Sequence, residues 1–128
     1  MRRVLIPIDG SECALRGVAL SISERACYLA PQELEIHLVN VQVPFPDDIG
    51  RFASHDQIAA FHREEGEKLL KDARRLLDTA GVRYSEHYEV GKVAETIASL
   101  ADSLQCDRIV IGTHGRGAMG AFLLGSIT

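Results

Sequence analysis

Four glycines fall within nine residues: Gly112, Gly115, Gly117 and Gly120. The stretch also holds His114 and Arg116, and a fifth glycine, Gly125, precedes Ser126, Ile127 and Thr128. Glycine permits positive φ and lets backbone N–H groups approach a ligand closely. A glycine loop after a strand forms a concave nest of N–H donors, which suits phosphate oxygens. Arg116 adds a forked cation of matching geometry. The chemistry expected here is phosphate binding, and the main hypothesis is a nucleotide. His114 tempts a catalytic reading, but no residue is placed to orient it, so it counts only as a member of the loop.

Other candidate chemistry is thinner. Cys13, Cys27 and Cys106 are odd in number and widely spaced, which fits reduced structural thiols in a reducing compartment. His55 and His62 are seven apart, two helical turns and too far for one metal ion. His37 and His87 stand alone on strands, so no metal site is expected. A Gly-x4-Gly-Lys-Ser/Thr loop is absent, which argues against a P-loop NTPase.

The elements that position the glycine stretch follow from periodicity. Val4–Ile8 is a continuous apolar run, the mark of a strand covered on both faces. Pro7 cannot donate to a ladder and belongs near the strand end. Asp9-Gly10-Ser11 is a turn, with Ser11 as N-cap of a helix. That helix is marked by Leu15, Val18, Ala19, Ile22, Ala26 and Leu29. Leu34–Val43 is a second strand, its apolar face broken by Asn40, and Pro44 begins a loop.

From about Asp56 to Ala80 a helix is predicted. Its stripe is Ile58, Phe61, Leu69, Ala73, Leu76 and Ala80, interrupted by Glu65. Glu64 with Lys68 and Glu67 with Lys71 have i,i+4 spacing. Gly66 costs ~1 kcal/mol against alanine in that helix, and Gly81 stops it. Val82–Val90 alternates, so one face is wet and the strand belongs at a sheet edge. Glu86 is the exception on its apolar side. Val93, Ile97, Leu100, Ala101 and Leu104 mark a third helix, and Ile109–Ile111 a fourth strand.

Strands separated by helices give a parallel sheet with right-handed crossovers. Burial places the first and fourth strands inside and the third outside. The expected fold is α/β: one domain over residues 1–128, an open Rossmann-like parallel sheet in the order 3-2-1-4 with helices on both faces. The chain path reverses between strands 1 and 4, and open α/β sheets bind ligands at such a point. The loops there are Asp9-Gly10-Ser11 and the glycine stretch.

The spacing Gly112-x2-Gly115-x9-Gly125-Ser126 resembles the motif of the ATP-binding universal stress proteins. Val4–Ser11, Gly91 with the helix after it, and Gly-Thr-His-Gly-Arg-Gly at 112–117 agree with that family. The resemblance implies an ATP site, with Mg²⁺. Pro7 and Asp9 would lie beside ribose and triphosphate, where Asp9 helps hold the cation. The Val41 backbone would meet adenine. Gly112, His114 and Gly115 would line the ribose and phosphate side, with Arg116 and Gly117 over the phosphates. Gly125, Ser126 and Ile127 would offer N–H groups at a helix start, which favours an anion.

In the family the chain continues past the Gly-Ser step into a helix and a fifth strand that commonly makes the homodimer contact. This sequence ends two residues after Ser126. The expectation is therefore no fifth strand and a fourth strand left as an open edge.

With 128 residues, 46% hydrophobic and 25% charged, the composition is that of a soluble globular domain. The net charge of −4 argues against a general nucleic-acid binder. No apolar run approaches the ~20 residues of a membrane span, and Met1–Ile8 is too short for a signal peptide, so a cytoplasmic protein is expected.

The function expected is that of an ATP-holding stress-response module, with no catalytic residues and at most incidental hydrolysis. The alternatives are a non-nucleotide scaffold of the same fold or a nucleotidyl-transferring enzyme. The transferase would want a histidine-rich signature after the first strand, where this chain has Asp9-Gly10-Ser11. A phospho-acceptor receiver would need an aspartate where Val90-Gly91 stands.

Overall fold

A computed structural model describes residues 2–25, 34–45, 54–111 and 122–124. Strand β1 (Arg2–Pro7) is followed by helix α1 (Glu12–Arg25), β2 (Leu34–Gln42), α2 (His55–Ala80), β3 (Tyr84–Val90), α3 (Val93–Ser103), β4 (Arg108–Ile111) and β5 (Phe122–Leu124). The sheet order is β3-β2-β1-β4-β5. The first four strands are parallel, in the expected order. Beside β4, Phe122–Leu124 adds a short antiparallel strand, with Val110 opposite Leu123. The expectations of no fifth strand and an open β4 edge are thus corrected. Three residues give too little alternation to register as a strand in the sequence.

The residues on the two sheet faces build two apolar layers. Val4, Ile6 and Ile8 of the β1 segment join Ile36 and Leu38 of β2 beneath α1 and α2. Leu5, Val39 and Ile109 pack on the other face against Ile97 and Ala101 of α3. Fully buried leucines and isoleucines contribute about 1.5–3 kcal/mol each, so these continuous runs are what hold the central strands between layers.

Helix α2 begins one residue before the predicted start, and its cap was in the sequence. Ser54 accepts a hydrogen bond from Gln57 N at 3.1 Å, and Gln57 Oε1 accepts from Ser54 N at 2.8 Å. This is a capping box. The helix ends at Gly81, whose φ of 71° is left-handed, a conformation glycine adopts without a Cβ penalty.

The face that α2 buries differs from the predicted stripe. His62, Gly66, Leu70, Ala73 and Leu77 are buried, whereas Phe61 is 49% and Leu76 37% exposed. The buried line runs through a histidine and a glycine, which apolar counting passes over. The predicted ion pairs also change partners: Arg63 bonds Glu67 at 3.1 Å, and Lys68 faces Glu65 at 4.0 Å. In α1, Val18 is buried as predicted, but Ala19 is exposed, and Ala14 and Ser21 are buried beside Val18. Ala26 and Leu29 lie outside the described residues.

β3 is the sheet edge, as predicted. Glu86, the exception to its alternation, has a partner on α2. Its Oε2 accepts from Arg74 Nε at 3.0 Å and from the Tyr88 hydroxyl at 2.6 Å. Burial, then this Glu86 contact, pushes the Tyr88 hydroxyl above its ordinary pKa. The acid therefore belongs to the clamp between helix and edge strand.

Candidate functional site

A crevice of about 460 Å³ opens where the sheet order reverses, at the carboxyl ends of β1, β2 and β4. The sheet contributes Pro7, Ile8, Val39, Val41, Ile109 and Ile111 to its walls. Helix α3 contributes Val93, Ala94, Ile97 and Ala98, and the β1–α1 connection contributes Asp9. Asp9 is the one charged residue among these described lining groups. Mostly apolar walls with a few polar groups are the usual make-up of a small-molecule site.

Of the sequence-predicted residues, the structure brings Pro7, Asp9 and Val41 together around this crevice. Gly112, His114, Gly115, Arg116, Gly117, Gly125, Ser126 and Ile127 lie outside the described residues. Gly112 follows Ile111, a lining residue, directly in the chain.

The Asp9 turn is built from its own sequence. Asp9 is exposed, and its Oδ1 accepts from Ser11 N at 2.9 Å, an Asx turn. Gly10 takes φ 85°, and a Cβ there would fall 2.6 Å from Leu69 Cδ2. Only glycine fits both constraints. Ser11 Oγ then accepts from Ala14 N at 3.2 Å and caps α1 as predicted. The capping role expected of Ser11 and the turn role of Asp9 are therefore both met in one short connection.

Sequence reasoning missed what fixes this turn from below. Asn40 is 2% exposed, and its Nδ2 donates to Ile8 O at 2.9 Å. Asn40 Oδ1 accepts from Gln42 Nε2 at 3.0 Å. Gln42 also donates to His62 O and accepts from His62 Nδ1 at 2.8 Å. The signal was available: a buried polar residue within an apolar strand must have partners.

The α3 wall was missed for a different reason. Gly91 N bonds Gln42 O at 2.9 Å, which carries the chain from β3 straight into α3. A Cβ on Gly91 would meet Thr96 Oγ1 at 2.6 Å, so the turn is tight. The start of α3 has no side-chain cap. Its Val93 and Ala94 lie at the crevice. Two helix starts, those of α1 and α3, therefore flank the opening, and each carries partial positive charge.

His37 and His87 do not stand alone. His37 Nδ1 and His87 Nε2 are 3.0 Å apart across β2 and β3, and His37 Nε2 lies 2.9 Å from Glu35 Oε1. Parallel register, which strand-by-strand reading does not supply, puts them together. Among the cysteines, Cys13 and Cys106 are buried free thiols, and burial pushes the Cys106 thiol up to about 11. Cys27 lies outside the described residues. No described helix is long and apolar enough to cross a membrane.

The universal stress protein family model matches residues 1–128. A universal stress protein of Thermus aquaticus is 30% identical over 125 residues, covering 98% of this chain and 86% of that protein. One from Methanocaldococcus jannaschii is 29% identical over 129 residues, covering 98% and 72%. Among solved structures, an Arabidopsis thaliana family protein with AMP bound aligns at TM-score 0.65 and 16% identity, over 92% of this chain and 80% of that one. A universal stress protein in complex with cAMP aligns at 0.59 and 21%, over 84% and 73%. The full-length family match, the parallel order 3-2-1-4 and the crevice at its reversal agree: this chain belongs to the universal stress protein family.

Proposed function

We propose that this chain is an adenine-nucleotide-binding stress-response module whose ligand is ATP with Mg²⁺. The observation that carries the reading is the apolar crevice with Asp9 at its edge, opening where the glycine stretch leaves β4. The apolar walls suit a purine, and the two helix starts suit the charge that follows it. The solved relatives with AMP and with cAMP support the adenine assignment.

In this reading the Val41 backbone meets the adenine edge. Pro7 and Asp9 flank the ribose and triphosphate, and Asp9 shares the cation. Gly112, His114 and Gly115 line the ribose and phosphate side, and Arg116 and Gly117 lie over the phosphates. Gly125, Ser126 and Ile127 add N–H donors. The module signals by occupancy rather than by catalysis, and it works as a cytoplasmic homodimer.

Titration calorimetry with Mg²⁺ tests it. ATP binds more tightly than GTP, and Gly115→Val abolishes binding by filling the nest. Absence of ATP binding, or binding indifferent to that substitution, overturns the reading in favour of a non-nucleotide scaffold.

A further inference from the structure

Four polar side chains run in a row across three strands, on the sheet face that carries the crevice. Arg3 Nε of β1 bonds Glu35 Oε2 of β2 at 3.0 Å. Glu35 Oε1 lies 2.9 Å from His37 Nε2, and His37 Nδ1 lies 3.0 Å from His87 Nε2 of β3. His37 is 6% exposed.

The proton positions follow from what each group can do. An ionised carboxylate only accepts, so His37 Nε2 carries a hydrogen. A neutral His37 then offers a lone pair at Nδ1, and His87 Nε2 must donate to it. One extra proton is tolerated, because His37 Nδ1 can donate while His87 Nε2 accepts. A second extra proton is not. Two N–H groups would then face each other, and two cations would share the contact.

Among the described residues, β3 is an edge strand that pairs with β2 alone. Gly91 follows it directly, and the first turns of α3 form one wall of the crevice. We propose that the His37–His87 contact is an acid-released clasp on β3, and that its release loosens the α3 wall and lowers nucleotide affinity. The affinity part of this rests on the nucleotide reading above, whereas the clasp itself does not.

The surroundings decide the sign. β1 presents Arg3, β2 presents Glu35, and β3 presents Glu89. α3 packs Ile97, Leu100, Ala101 and Leu104 toward this layer, with its Glu95 and Asp102 exposed. Cys106 and Asp107 stand near Arg3. The Arg3 hydrogen bond chiefly holds the Glu35 carboxyl below its ordinary value, so it stays ionised in mild acid. Burial, then His37, pushes His87 below its ordinary 6.5, against an opposing pull from Glu89. A detached β3 returns His87 toward 6.5 and takes the proton more readily. The clasp therefore holds fully above pH 6.5 and is lost as pH falls further.

The experiment is amide hydrogen exchange of the nucleotide-free protein between pH 7.5 and 5, corrected for intrinsic rates, beside ATP titrations at each pH. Opening of the Tyr84–Val90 amides, relative to β1, rises severalfold, approaching about tenfold per pH unit where one proton is taken up. ATP affinity falls in parallel. His87→Gln removes both responses, because its amide can donate to a bare His37 Nδ1 and accept from a protonated one, without taking a proton itself. If His87→Gln shows the same acid response as the natural protein, the clasp is overturned. Histidine proton resonances supply the second measurement: coupled, two-step titration of His37 and His87 supports the clasp, and two independent single-step curves overturn it. Acid-sensitive β3 with no ATP binding at any pH sinks the nucleotide reading and keeps the clasp. Acid-sensitive β3 with pH-independent ATP affinity sinks the coupling.

Discussion

Tyr88 lies so close to Gly66 that a Cβ built on the glycine would fall 2.5 Å from its Cδ1 and 3.3 Å from Asn40 Oδ1. The glycine is what lets α2 sit down on β2 and β3. Helix propensity alone would make Gly66→Ala a gain of about 1 kcal/mol. The packing says the opposite. Tyr88 is held by its bonds to Arg74 and Glu86, and Arg63 lies over its ring at 4.2 Å, so the ring does not yield easily. Gly66→Ala is expected to destabilise by about 1–3 kcal/mol, the usual range for overpacking. Gly66→Ala with Tyr88→Leu should recover part of the loss. Urea unfolding of the two variants checks both statements, and a stabilised Gly66→Ala would refute the close-packing account.

Gly66 also marks where the sequence could be read and where it could not. The central strands were legible, because Val4–Ile8 and Ile109–Ile111 are apolar throughout and only a doubly covered strand is written that way. The strand order followed from Val82–Val90 being the one alternating segment. The buried line of α2 was not legible, since it runs through His62 and Gly66. Whether those two are buried depends on what lies across from them. His62 is satisfied by Gln42 and Phe45 stacks on it at 4.8 Å, which are contacts between elements. The site divides in the same way. Asp9 and the glycine stretch carry local signals, and Asn40 announced itself as a polar break in β2. The His37–His87 bond depends on register, and the α3 wall on how tightly Gly91 turns.

Asn40 is expected to matter to both stability and ligand binding. Its amide occupies the Ile8 carbonyl, one residue before Asp9, and its oxygen receives Gln42. In Asn40→Leu both partners lose a hydrogen bond inside the protein, at about 1–3 kcal/mol for buried groups left unsatisfied. The Asp9 turn also loses its anchor, so ATP affinity should fall although Asn40 does not line the crevice. Denaturant unfolding and calorimetry on the same variant separate the two effects. Unchanged ATP affinity in a folded Asn40→Leu protein would show that the turn holds its shape without Asn40.

Gln105 holds a conformation better suited to glycine. It follows α3 with φ 57°, and its N–H bonds Asp102 O at 3.1 Å, while Cys106 N reaches Ala101 O at 2.8 Å. This is a helix stop in the left-handed conformation, which costs a residue with a Cβ about 1–2 kcal/mol. Glycine removes that strain but loses more entropy on folding. The net expectation for Gln105→Gly is stabilisation of about 0.5–1 kcal/mol, seen as a higher Tm by calorimetry. A lower Tm would mean that the Gln105 side chain makes contacts worth more than the strain.

Cys13 and Cys106 should behave as core residues toward thiol reagents. They are 4% and 8% exposed, and the Cys106 thiol is pushed up to about 11. At pH 8 a thiol with that pKa is ionised roughly a hundredfold less than an ordinary cysteine, and the thiolate is the reactive form. Alkylation of both in the folded protein should be slow and should accelerate on unfolding in urea. Mass spectrometry of peptides taken at timed intervals measures it. Rapid modification of Cys106 in the native state would show that the α3–β4 connection opens readily.

Ala98 allows the crevice to be closed without disturbing the core. It lines the cavity from α3, yet it is exposed, so a larger side chain there has room to project. Ala98→Phe should leave stability within about 0.5 kcal/mol, as surface changes usually do. Its ring would occupy space between α3 and the carboxyl ends of the strands. If the apolar crevice is where the base goes, ATP affinity should drop by at least about tenfold, equivalent to about 1.4 kcal/mol. The same substitution separates two ways of binding a nucleotide. A ligand held only through phosphates by the glycine stretch would lose little, because Ala98 sits on the apolar wall. Calorimetry with ATP and with inorganic triphosphate on Ala98→Phe therefore distinguishes base recognition in the crevice from phosphate capture alone, and equal losses for both ligands would count against the crevice as the adenine site.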